Sequence, residues 1–162
     1  MIRRLLLPAL LLMAALLAAC STAATGAEAV QQLPPTEHVS DGTGQASAEL
    51  ARTDAQGSVE FVVTPLNLAA PSETLDFTVV MDTHSVDLAW NLAAQSRLRT
   101  DTGAEVIGLS WPVGSGHHYE GTLTFPAAGA DGRPVLQGAS RLTLTIEDTD
   151  VSTRVFEWDL TQ

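Results

Sequence analysis

The feature that most constrains this chain is a strict two-residue alternation of large apolar side chains that begins at Ser58. Val59, Phe61 and Val63 alternate with Glu60, Val62 and Thr64. Leu75, Phe77, Val79 and Met81 alternate with Asp76, Thr78, Val80 and Asp82. The same period runs through Val86, Leu88, Trp90 and Leu92, through Leu123 and Phe125, through Leu142, Leu144 and Ile146, and through Phe156, Trp158 and Leu160. A β-strand sends successive side chains to opposite faces, so this period marks strands with one face on a core. Turn-forming residues separate the runs: Pro71-Ser72, Asp101-Thr102-Gly103, Gly114-Ser115-Gly116, Asp131-Gly132-Arg133-Pro134 and Asp148-Thr149-Asp150. Only Leu92 to Leu98 offers a helix within this region, and it is short. Regularly spaced short strands predict an all-β domain over residues 58–162, an antiparallel immunoglobulin-like Greek-key sandwich of seven or eight strands, with a small barrel as the alternative. A domain of that size buries enough surface to stand without disulfides.

The N-terminus follows a different logic. Arg3 and Arg4 precede an apolar run from Leu5 to Leu17. A charged start, a short apolar stretch and small residues make an export signal. The run falls short of the ~20 residues a membrane span needs. It ends Leu17-Ala18-Ala19-Cys20, and Cys20 is the chain's single cysteine. These four residues resemble the lipobox of bacterial lipoproteins. That resemblance implies cleavage after residue 19, lipidation of Cys20, and a palmitate-type membrane anchor. A cysteine left by chance after an ordinary secretory signal is the competing reading. Because Ser21, not Asp, follows the cysteine, the expected destination is the cell envelope: the outer face of the cytoplasmic membrane, or the outer membrane where there are two.

Residues 20–57 are rich in Ala, Ser, Thr, Gly, Gln and Pro and contain no aromatic residue. Such composition cannot bury enough surface to offset ordering entropy, so a lipidated flexible tether is expected there. All eight basic residues of the 162 are arginine, against 19 acids. Removing residues 1–19 leaves six arginines and a formal charge of −13. This charge argues against nucleic acid, which needs a basic face. It also means that lipid, rather than electrostatics, must hold the protein at an anionic membrane.

Four histidines carry the most chemistry. His38 lies in the tether, while His84, His117 and His118 lie in the β-rich region. Neutral imidazole ligates copper and zinc, so these three are candidate metal residues. His117 and His118 are neighbours and point to opposite faces in regular strand geometry. Asp82 and His84 share one face, as do His118 and Glu120, so two adjacent strands would present all four together. Surface histidines hydrogen-bonded to carboxylates are the plainer alternative. Glu147, Asp148, Asp150 and Ser152 offer oxygen ligands for calcium at one turn, but they do not fit the EF-hand pattern. Catalysis has little support: no Gly-x-Ser-x-Gly elbow, Walker loop or dinucleotide fingerprint is present. Trp90 and Trp158 are in phase with core positions; for Trp111, next to Pro112 and the glycine loop, an exposed ligand or partner patch is the lesser alternative.

The stretches Thr83-His84-Ser85-Val86-Asp87-Leu88 and Gly116-His117-His118-Tyr119-Glu120-Gly121-Thr122-Leu123 loosely resemble uncharacterised exported β-sandwich domains of bacteria. That resemblance implies a fold and no mechanism. The expected function is a lipid-anchored, non-enzymatic binding or structural module of the cell envelope, with an envelope protein or small ligand as partner. A metal-binding envelope lipoprotein, taking copper or zinc through His84, His117 and His118, is the alternative.

Overall fold

The computed structural model describes residues 49–160. The expected signal peptide, Cys20, His38 and most of the expected tether lie outside the described residues. Eight strands form in chain order: β1 Arg52–Asp54, β2 Val59–Pro65, β3 Thr74–Thr83, β4 Ser96–Thr100, β5 Glu105–Ile107, β6 His118–Pro126, β7 Arg141–Thr149 and β8 Val151–Asp159. One short helix, α1 (Leu92–Gln95), precedes β4. The strands make two antiparallel four-stranded sheets, ordered β1-β2-β3-β6 and β5-β4-β7-β8. The fold is the expected all-β architecture, with eight strands.

The alternation explains why these segments pack face to face. Along β3 every second residue is buried, from Leu75 through Phe77, Val79 and Met81 to Thr83. On β7, Leu142, Leu144 and Ile146 point inward in the same way. Phe77 joins the layers, lying edge-on to Phe125 at 5.7 Å and tilted against Trp158 at 5.4 Å. Burying one such ring removes enough apolar surface from water to stabilise the fold by ~1.5–3 kcal/mol.

Three details differ from the sequence expectation, and a fourth removes one of its alternatives. First, the folded region starts before Ser58. Arg52–Asp54, assigned to the tether by composition, pairs with Phe61–Val63 of β2. Trp158 Nε1 donates to the Leu50 carbonyl at 2.6 Å, which ties the chain entry to β8. Second, residues 86–92 are not a strand. The segment crosses between the sheets with Leu88 and Leu92 as buried plugs, and the half-buried Trp90 stacks on Phe61 at 6.3 Å. Its alternation fills the end of the core without a hydrogen-bonded ladder. Third, the helix stops at Gln95, because Ser96, Leu98 and Thr100 face the core and pair with β7. Fourth, Trp111 is buried, 8% exposed, which removes the exposed-patch alternative. It covers Gly121 on the inner side of β6, where an added Cβ would sit 3.0 Å from the indole ring. A glycine in a strand leaves a gap that an aromatic from the next segment can fill.

Candidate functional site

The two sequence stretches that stand out around the histidines are joined to each other in the fold. Thr83 N donates to the His117 carbonyl at 2.9 Å, and Leu88 N donates to the Gly116 carbonyl at 3.0 Å. Gly116 N in turn donates to Asp87 Oδ1 at 2.8 Å. Gly116 has φ +108, a backbone state that only glycine enters without strain. The buried Thr83 also donates through its hydroxyl to the Ser58 carbonyl at 2.7 Å. One threonine thereby links the start of β2, the end of β3 and the entry to β6.

These links place a row of polar side chains across three strands. Glu60 of β2 pairs with Asp82 of β3, and Asp82 pairs with His118 of β6. Asp82 Oδ1 is hydrogen-bonded to His118 Nδ1. His84, one residue past β3, brings its ring edge-on to that of His118, with centroids 6.4 Å apart. Glu60, Asp82, His84 and His118 line one open groove of about 370 Å³ together with Ala55, Gly57 and Ser58. His117 is exposed and does not line it. Glu120 lies one row away, opposite Val80. Of the four residues expected on one face, Asp82, His84 and His118 therefore converge, while Glu120 stands one row away and His117 lies outside the groove. Among the described residues, no three His, Cys, Asp or Glu side chains converge to hold a metal ion.

The groove is electrostatically one-sided. Strands β2, β3 and β6 contain Glu60, Asp76, Asp82 and Glu120 and no arginine. The other sheet balances its charges: Arg97 faces Glu105 at 3.7 Å and Glu147 at 3.9 Å, and Arg141 faces Asp159 at 3.6 Å.

The acidic turn proposed for calcium is built differently. Asp148 and Asp150 have φ +56 and +66, conformations that aspartate tolerates in tight turns. Asp150 accepts from Ser58 N at 2.5 Å, and Gln95 Nε2 donates to the carbonyls of Glu147 and Asp148, each at 3.0 Å. The turn is held by hydrogen bonds to β2 and α1.

The site that sequence reading missed is Arg154. It is fully buried on β8, in phase with Phe156 and Trp158. Its guanidinium lies over the Phe61 ring, with Cζ 4.4 Å from the centroid, and it pairs with Asp54. It also donates to the carbonyls of Gln56 at 2.9 Å and Thr149 at 3.3 Å. Burial pushes the Asp54 carboxyl up, but hydrogen bonds from Gln56 and the Arg154 charge outweigh that and hold it below the usual range. The available signal was the period itself, which places residue 154 on the inner face. Asp101 is likewise held low, chiefly by the Ser140 hydroxyl.

No family model, no curated protein and no solved structure matches this chain.

Proposed function

We propose that this protein is a lipid-anchored, non-enzymatic binding or structural module of the bacterial cell envelope. The observation that carries the reading is Leu17-Ala18-Ala19-Cys20, with the chain's single cysteine at the processing point of an export signal. Multiple acyl chains anchor a protein stably, which its −13 mature charge could not do at an anionic surface. From Cys20 to Glu49 the chain has enough residues to reach about 95 Å at ~3.3 Å each, so the sandwich can work well clear of the bilayer. The absence from the sequence of nucleophile, phosphate and dinucleotide motifs supports a binding role over a catalytic one.

The test is metabolic labelling with a palmitate analogue in a bacterium that processes lipoproteins. The native chain takes the label and sediments with membranes, whereas Cys20→Ser does neither. An unlabelled, soluble native chain overturns the reading.

The meeting of His84 and His118 in one groove favours a second reading, in which the bound species is copper or zinc. Metal analysis of the purified protein, with His84, His117 and His118 each changed to alanine, tests it.

A further inference from the structure

We infer that the groove at the end of β2, β3 and β6 seats a copper(II) ion on two imidazoles, His118 Nε2 and His84, with Asp82 as the residue that positions His118. This inference rests on the metal-binding reading and divides its residues into roles.

The first argument is orientation. Asp82 Oδ1 meets Nδ1 of His118. A carboxylate accepts, so Nδ1 carries the proton and the lone pair sits on Nε2, at the far end of the ring. A ligating histidine commonly gives its other N–H to a carboxylate in this way, which fixes both tautomer and ring direction. Asp82 is itself set by the β3–β6 ladder, where it stands directly opposite His118.

The second argument is reach. Two imidazoles bound to one ion at ~2.0 Å have centroids roughly 4.5–6.5 Å apart, according to the angle at the metal. The His84 and His118 centroids lie 6.4 Å apart, near the open-angle end of that span. Both rings are exposed, so the His84 side chain has room to turn toward His118. Thr83 holds the preceding backbone to Ser58 and His117.

The third argument is selection. Two imidazoles leave the remaining positions to water, with the Glu60 carboxylate close by in the same groove. Calcium and magnesium want oxygen ligands only. Structural zinc sites supply four protein ligands, and no three converge among the described residues. Copper(I) prefers sulfur, but Met81 is buried on the opposite face of β3. Copper(II) binds nitrogen donors most strongly of the common divalent ions and accepts a tetragonal set completed by oxygen. Strands β2, β3 and β6, acidic and without arginine, add a favourable potential for a cation.

The test is titration of the full-length mature protein in detergent with copper(II), followed by electron paramagnetic resonance. The expected result is one ion per chain, with hyperfine splitting from two imidazole nitrogens. His84→Ala and His118→Ala each remove one nitrogen and weaken binding more than tenfold. Asp82→Asn weakens binding by about tenfold while both nitrogens remain. His117→Ala changes nothing. Circular dichroism shows that each variant is folded. If no copper binds, this inference falls, and the metal-binding reading falls with it when a parallel zinc titration also shows no binding. If copper binds but depends on His117, ignores Asp82→Asn, or survives the His84→Ala/His118→Ala double change, the inference falls and the broader metal reading stands.

Discussion

Two pairs in this molecule each set one basic side chain against one aspartate, and they do different things. Arg154 and Asp54 meet inside the fold, with side chains 0% and 10% exposed. His118 and Asp82 meet on the outer surface of a sheet, at 70% and 44%. The buried guanidinium has a carboxylate, two further carbonyls and an aromatic face around it. Those partners lie on β1 (Asp54), between β1 and β2 (Gln56), on β2 (Phe61) and at the end of β7 (Thr149). The surface pair shares one hydrogen bond and leaves the rest of the imidazole facing an open groove. Depth decides the role. Inside, a charge needs an opposite charge and hydrogen-bond partners, and those partners become structure; of the Arg154 guanidinium only Nε is left without one. Outside, water does that job, and the side chain keeps a free coordinating atom.

The largest expected effect breaks the buried pair. Arg154→Ala takes the opposite charge from the Asp54 carboxylate, which keeps only its Gln56 donors, and removes the Arg154 donors to the carbonyls of Gln56 and Thr149; it should cost about 3–5 kcal/mol in urea unfolding. Replacing both partners at once, Arg154→Met with Asp54→Asn, should recover part of that loss, because no unpaired charge remains. If the single and double variants are equally unstable, the charge pairing is not what Arg154 contributes.

Trp111→Ala should come next, at about 3 kcal/mol by thermal unfolding. It opens a cavity against Gly121 and removes the edge-on contact with Tyr119 at 5.7 Å. This change sharpens the comparison because Trp111 packs on β6, the strand that carries His118. Loss of copper binding beyond the loss of fold would show that the site depends on this support.

How much of this could be read from the sequence varies with the chemistry of each strand's inner face. β2, β3, β6, β7 and β8 were legible because large apolar residues mark every second position. β4 was not, because two of its three inward residues are Ser96 and Thr100. β1 and β5 were too short, at three residues each, to show a period. The segment 86–92 has the strand period but plugs the end of the sandwich. The shared face of Asp82 and His118 followed from the period alone. That they stand opposite one another depends on a β3–β6 register set by tertiary packing, to which no single strand holds the key. Arg154 was overlooked for the opposite reason: the period pointed inward, and its charge argued against burial.

The pH dependence of stability separates the pairs more finely. Asp54 has its carboxyl held below the ordinary value in the folded state. A depressed folded value contributes stability that is present above the unfolded carboxyl value of about 3.9 and is lost as pH falls through the lower folded value. Unfolding of the native protein should therefore become easier below about pH 4. Asp54→Asn should flatten that part of the profile. A profile unchanged by Asp54→Asn would assign the acid sensitivity to other carboxylates.

The smallest expected effect is the complement of the first. Exposed polar pairs contribute about 0–1 kcal/mol, since water solvates either partner once the other is removed. Asp82→Asn and His118→Ala should each shift unfolding by less than about 0.5 kcal/mol. A near-silent change in stability, with a clear loss of copper affinity, is the signature of a residue kept for binding. A cost above about 1.5 kcal/mol would instead make Asp82 and His118 a staple between β3 and β6. The contrast with Arg154 and Asp54 would then be one of exposure alone.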